Sequence, residues 1–480
     1  MSLIQLLILI GAAVVICTVG GFSRTTRLRL PLMLAFSVLA IFWLQPALPI
    51  RGLDFFLPTG MLILVLVSWG LTARPEERSI RLNLRPVVII AGIVLALATT
   101  RLFSLKGIIT PSRAPQLWVS LIVVVIFGVL FLLVSRFKHV SKTWLGVSTV
   151  GLILIFILLK FPMLTEAISS SLRGLTGQNT GAASSLDIRW LGFSYVAFRL
   201  IHTLRDRQSG RLPGVTLEEY FIYVLFFPAF TAGPIDRVER FITFLRAPSP
   251  FSVERIEQAG ERLFVGIAKK FIVADLLAMM ALNAYNAGQV QSAGWAWILL
   301  YAYAFQIFFD FSGYTDIAIG LAGIMGVQLP ENFKRPYLQP NLTQFWNNWH
   351  MTLTQWFRAY FFNPLTRALR SAEKPVPMWV VLLITQMSTF VLIGLWHGIS
   401  LNFIAWGTWH GLGLFLQNRY SDKVRPFSAW LAERPGLNKV SRVLSTLLTF
   451  HFVALGWVWF ALPSIDLSLS TFSKLFGFGG

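Results

Sequence analysis

Six mainly apolar runs fill the first third of the sequence: Ile4–Gly20, Leu30–Ile50, Phe55–Leu71, Pro86–Thr99, Leu117–Val134 and Leu145–Leu164. A membrane-spanning helix needs about 20 such residues, fewer where neighbours bury it, so this pattern constrains the chain more than any other feature. Composition agrees. Charged residues make up 13% of the chain and hydrophobic ones 55%, whereas a soluble domain carries about 25% charge. Disorder is excluded, because 41 Phe and 17 Trp offer ample apolar surface to bury. The net charge of +20 would suit a nucleic-acid binder, but such a protein does not thread its charge between long apolar runs. Cys17, the single cysteine, lies inside the first run and supports no disulfide framework or Cys-rich metal site. Met1–Ile10 has no positive n-region and no small-residue cleavage site precedes Arg24, which reads as a retained helix.

The loops after the first, third and fifth runs are basic (Arg24, Arg27, Arg29; Arg74, Arg78, Arg81, Arg85; Arg136, Lys138, Lys142). The positive-inside bias puts them in the cytoplasm and the N-terminus outside; the loop with Arg101, Lys106 and Arg113 is the exception. A Ser/Gly/Thr-rich stretch, Ser169–Asp187, marks the expected internal boundary. Beyond it, apolar runs continue but are broken by Pro228, Pro234, Pro336 and Pro340, and irregular backbone at membrane depth must be buried in protein or line a wet cavity. The expected organisation is an N-terminal scaffold (1–167), a polar loop (168–189), a catalytic core (190–420), and a basic loop with a C-terminal helix (421–480). The expected fold is all-α and polytopic, with about 11–13 transmembrane helices of mixed length around an enclosed tunnel or funnel.

Few residues are available for chemistry. His397 stands in Gly394-Leu-Trp-His-Gly398, and no Asp, Glu, Lys or Arg occurs between Pro375 and Asn418. An intramembrane ionisable group usually faces a cavity, and a neutral imidazole can still accept a proton. From position alone, a core histidine bonded to helix backbone is an equal reading. His350 lies in Asn341–Phe361, where Thr343, Asn347, His350, Thr354 and Arg358 recur every three or four residues. That period predicts one helix with a polar stripe centred on His350, lining a cavity rather than an interface, since the stripe carries a single Arg. Asp310 and Asp316 flank Phe311-Ser-Gly-Tyr-Thr315, and structural pairing with Arg or Lys is their expected role. Gly313, Gly320 and Gly323 predict close helix packing. His202 and Asp206 have the wrong spacing for a soluble acyltransferase dyad, and His139 sits in a basic, solvated loop. His410 repeats the Trp-His-Gly triplet thirteen residues after His397, which on one helix puts the two on separate faces. There is no Gly-x-Ser-x-Gly elbow, Walker loop or His-Glu-x-x-His.

From about Trp190 to Leu416 the chain resembles the membrane-bound O-acyltransferase family, closest to its bacterial polysaccharide-modifying branch. The residues carrying the resemblance are Phe226-Phe-Pro228 through Ala232-Gly-Pro-Ile235, Asp310 to Gly320, Pro330-Glu-Asn-Phe333, Phe345-Trp-Asn-Asn-Trp-His350, Trp356-Phe-Arg358 and Leu395-Trp-His-Gly398. The resemblance implies that His397 is the catalytic histidine and His350 a second functional one facing a tunnel. Asn347, on the same stripe as His350, is expected to bind substrate, as are Trp346, Asp310 and Tyr314; no metal is expected. Ala359 departs from the pattern, since family members often carry Asp there.

The resulting expectation is transfer of an acyl group, acetyl in the first instance, from a cytoplasmic thioester to a hydroxyl of an extracytoplasmic polysaccharide or to a partner transferase. His397 would be the general base. No cofactor is expected to be tightly bound; acetyl-CoA or an acyl carrier protein serves as co-substrate, and the basic loops offer an acidic carrier a mouth. The expected location is the bacterial cell membrane, in contact with lipid. The alternatives are a transporter of acyl groups or protons without transferase chemistry, and a lipid O-acyltransferase.

Overall fold

A computed structural model describes residues 2–22, 28–101, 103, 110–112, 114–137, 140–250, 252–374 and 376–478. Arg24, Arg27, Lys106, Arg113, Lys138 and His139 lie outside the described residues. Among those described, all regular structure is helical. The apolar runs of the first third become α1 (Leu3–Phe22), α2 (Arg29–Trp43), α3 (Leu53–Thr72), α4 (Ile80–Thr99), α5 (Leu117–Ser135) and α6 (Lys142–Lys160). The last run stops short of Leu164, because Pro162 starts a separate helix, α7 (Pro162–Leu175), at the position where a missing N–H costs least. The expected polar loop is therefore helical as far as Leu175. Next come α8 (Phe193–Gln208), α9 (Leu217–Leu225), α10 (Val238–Arg246), α11 (Val253–Ala268), α12 (Asp275–Ala278) and α13 (Ala284–Gln289). The long α14 (Ala293–Ile324), short α15 (Leu342–Asn348), α16 (Met351–Phe357) and α17 (Asn363–Arg370), then α18 (Met378–His397), α19 (Leu401–Ala432), α20 (Pro435–Ala461) and α21 (Ile465–Leu475) complete the chain. Among the described residues, seven helices (α3–α6, α14, α18 and α20) are long and apolar enough to cross a bilayer. The protein is a multi-pass, all-α membrane protein.

The chain packs as two compact units, Met1–Phe264 with Asp316–Pro330, and Val265–Thr315 with Glu331–Gly480. In the first, buried arginines brace backbone carbonyls. Arg29 donates to Leu245 O at 3.0 Å and to Met325 O at 2.9 Å, and Arg199 to Val224 O at 2.7 Å and Ala229 O at 2.8 Å. Each such bond satisfies a carbonyl that neither water nor a helix partner reaches. The loop after α7 is held by Asp187, whose Oδ2 accepts from Ser169 Oγ (2.6 Å), Arg173 Nε (2.8 Å) and Ser184 N (3.2 Å). Asp316 accepts from Arg262 Nε at 2.6 Å, the structural pairing expected for it. Gly320 meets Ala259, where a Cβ would come within 2.8 Å of the carbonyl oxygen.

In the second unit, Asp310 pairs with Lys270, and a Cβ on Gly313 would come within 2.8 Å of Gly266 O. The close glycine packing expected from the sequence is present at both places. The core of this unit is an α18–α19 hairpin turning at Gly398-Ile-Ser400. Ser400 caps α19 by accepting from Phe403 N, and Asn402, buried, donates to Leu462 O at 2.8 Å. The hairpin is tight because Gly394 and Gly407 carry no side chain. A Cβ on Gly394 would lie 2.1 Å from Phe403 O, and one on Gly407 would lie 2.5 Å from Phe390 O.

Candidate active site

The single helix expected over Asn341–Phe361 does not form. It breaks between α15 and α16, and His350 sits at the break with φ 42° and ψ 52°. A non-glycine residue in this left-handed region costs about 1–2 kcal/mol, so something must hold it there. That something is Asn332, fully buried in the Pro330-Glu-Asn-Phe333 motif. Its carbonyl oxygen accepts from Met351 N at 3.0 Å. Its Oδ1 accepts from Thr352 N at 3.2 Å and Thr352 Oγ1 at 2.9 Å, and lies 3.2 Å from His350 Nδ1.

This network assigns the tautomer of His350. The Thr352 N–H identifies the facing Asn332 atom as oxygen, an acceptor, so Nδ1 of His350 must be the donor. In a neutral imidazole, Nε2 is then a bare acceptor. It is buried and has no hydrogen-bond partner among the described residues. His350 therefore presents a lone pair, suited to receive a hydroxyl proton donor and unsuited to donate to a carbonyl.

His350 and His397 line the same cavity. His397 is the last residue of α18, delivered to that position by the Gly398 turn. Its ring packs among Trp396 (4.5 Å between centroids), Phe460 (4.8 Å), Trp406 (5.7 Å) and Phe403 (6.0 Å). Trp346, Trp406, Trp457, Phe311 and Ile393 supply most of the remaining wall, and Thr354 adds a hydroxyl. No Asp, Glu, Lys or Arg is among the lining residues described. Two imidazoles in an aromatic, charge-free enclosure make a site where a hydroxyl can be deprotonated away from bulk water.

The other sequence candidates divide. Trp346 is on the wall. Asn347 is not: it is exposed, and its Oδ1 accepts from Arg358 Nη2 at 2.8 Å. The shared stripe of Asn347 and His350 is lost with the helix that would have carried it. Asp310 is engaged by Lys270, and neither it nor the buried Tyr314 lines the cavity. His202 and Asp206 do meet, at 2.9 Å on successive turns of α8, with Arg211 on the other carboxylate oxygen at 2.8 Å. Together with Glu239 they form, among the described residues, the one group whose ligand atoms (within 4.8 Å of one another) could hold a metal ion; it belongs to the first unit. Sequence reading missed Asn332 and Trp406. It also set His410 aside by counting turns along one helix, whereas His397 and His410 stand on two helices of a hairpin. His410 packs edge-on against Trp346 and Trp406, each at 5.0 Å.

Comparison with known proteins adds three relatives and a family. The family model described as MBOAT, membrane-bound O-acyltransferase family, matches residues 144–449, which includes every lining residue up to Trp406. Teichoic acid D-alanyltransferase of Streptococcus thermophilus is 32% identical over 286 residues, 57% of this chain and 68% of the relative. Probable alginate O-acetylase AlgI of Pseudomonas aeruginosa is 31% identical over 293 residues, 60% of this chain and 52% of the relative. Peptidoglycan O-acetyltransferase of Helicobacter pylori is 32% identical over 264 residues, 55% of this chain and 47% of the relative. The match thus spans about half the length of the two O-acetylating relatives.

Proposed function

The chain belongs to the membrane-bound O-acyltransferase family and is by that membership an O-acyltransferase; from this premise we propose that it moves an acetyl group from a cytoplasmic thioester to a hydroxyl. The acceptor is a cell-surface polysaccharide, or a partner transferase that completes the step outside a bacterial cell membrane. The relatives, named for teichoic acid, alginate and peptidoglycan, support the acceptor class.

The observation that carries the proposal is the shared cavity, which brings His397 and the acceptor nitrogen of His350 into one enclosure without charged walls. His397 takes the hydroxyl proton as the oxygen attacks the thioester carbonyl, then returns it to the departing thiolate. General-base assistance of this kind is worth about 10²–10⁴-fold. His350 Nε2 accepts from a neighbouring hydroxyl of the same acceptor and so orients it, and holding both reactants in one dry site supplies the remaining advantage. Acetyl is favoured over D-alanyl by the wall. An alanyl ammonium would be stripped of water with no carboxylate among the lining residues to pair with, a cost of several kcal/mol. The donor is the thioester of coenzyme A or of an acyl carrier protein, bound transiently at the basic cytoplasmic loops.

Purified protein given acetyl-labelled pantetheine thioester, the arm common to both donors, together with a hydroxyl-bearing polysaccharide tests this. Thioester consumption without any partner protein, with label appearing on the polysaccharide, is expected. A preparation that lets the label pass but leaves the thioester intact would identify a conduit and overturn the enzymatic reading.

A further inference from the structure

His410 has no part in the chemistry above, yet it is fully buried, and neither ring nitrogen has a hydrogen-bond partner among the described residues. The same is true of the indole Nε1 of Trp346 and of Trp406, both on the cavity wall and both more than nine-tenths buried. The three rings touch one another, with centroids 5.0, 5.0 and 5.7 Å apart. Gly456 of α20 lets His410 pack close against the helix, since a Cβ there would come within 2.7 Å of Nε2.

An orphaned buried polar group costs about 1–3 kcal/mol, and replacing it with an apolar group of similar shape removes that cost. Phenylalanine in the place of His410, among Trp346, Trp406 and Phe452, would carry no orphaned nitrogen. Polar atoms kept where apolar ones pack better are the mark of a functional site. We propose that Trp346 and Trp406 on the cavity wall, with His410 packed against both, form a second polar subsite, which takes the carbonyl oxygen of the acyl donor.

The balance of donors supports a carbonyl. The two indoles offer N–H donors only, and a neutral imidazole adds one donor against one acceptor. A carbonyl oxygen accepts from several donors and draws more from them as negative charge builds on it. The hydroxyl and the carbonyl then have separate places: the hydroxyl at His350 and His397, the carbonyl at the indoles and His410. This inference rests on the acyl-transfer reading.

The test compares wild type with His410→Phe, His410→Gln and Trp406→Phe, using acetyl-pantetheine turnover per folded molecule and the thermal unfolding midpoint. His410→Phe should unfold at the same temperature or higher while kcat falls at least tenfold, with Trp406→Phe moving kcat the same way. His410→Gln, which keeps a donor and an acceptor, should recover part of the loss. Unchanged kcat in His410→Phe, or a His410→Gln no better than His410→Phe, overturns the subsite whatever happens to the midpoint. A wild type that consumes no thioester would instead overturn the acyl-transfer reading itself.

Discussion

At position 350 a histidine holds a backbone conformation that glycine adopts at lower cost, and a single buried amide, Asn332, both enforces that conformation and selects the ring tautomer. Asn332→Ala removes the acceptor shared by His350 Nδ1 and Thr352. The expected result is a loss of about 1–3 kcal/mol in stability, together with a fall in kcat that His350→Ala does not deepen. Thermal unfolding and turnover of the two single variants and the double variant check this. Asp187 is a second residue whose role is plain at this scale. Burial pushes its carboxyl up, but the hydrogen bonds from Arg173 and Ser169 outweigh burial and hold it below its ordinary value. Its stabilisation is therefore complete above about pH 4 and is lost as pH falls through the lower folded-state value. Asp187→Asn should lower stability at pH 7 by about 3–5 kcal/mol, read as a lower unfolding midpoint, because Arg173 is left buried without its counter-charge. The gap between variant and wild type should narrow toward pH 3.

At the scale of elements, the α18–α19 hairpin decides where His397 stands. Gly407→Ala would push a methyl to 2.5 Å from Phe390 O and 2.7 Å from Val391 Cα, and overpacking of this kind costs about 1–3 kcal/mol. Loss of activity with helix content retained is the expected outcome by circular dichroism and turnover. Gly436→Ala on α20, with nothing within 4 Å, should leave activity unchanged. Which elements were legible follows from what holds them. α1 to α6 each fall on an apolar run, though α2 stops at Trp43, α4 starts at Ile80 and α6 stops at Lys160, because a bilayer demands a helix wherever such a run occurs. The break at His350 was hidden because the polar period runs through it without Gly or Pro, and its cause, Asn332, is a tertiary contact 18 positions away. The placing of His410 on a separate face rested on counting residues per turn along one helix, whereas the chain turns at Gly398-Ile-Ser400; His410 nevertheless stays outside the cavity lining that holds His397. The pairing of Asp316 with a basic residue was legible because a buried carboxylate has few alternatives, and half-buried Asp310 is paired likewise.

For the molecule as a whole, the surplus of positive charge and the uncharged stretch around His397 serve different ends. Part of the surplus is not in solvated loops at all: Arg29, Arg78 and Arg199 are buried and donate to backbone carbonyls, which stiffens the first unit. The second unit carries the cavity, whose described lining holds two imidazoles and no charged residue. His397 is the group proposed to take the hydroxyl proton. The most direct measurement is kcat for acetyl transfer by purified His397→Gln, with helix content and unfolding midpoint matched to wild type. A fall of about 10²–10⁴-fold is predicted; a kcat within twofold of wild type would contradict it.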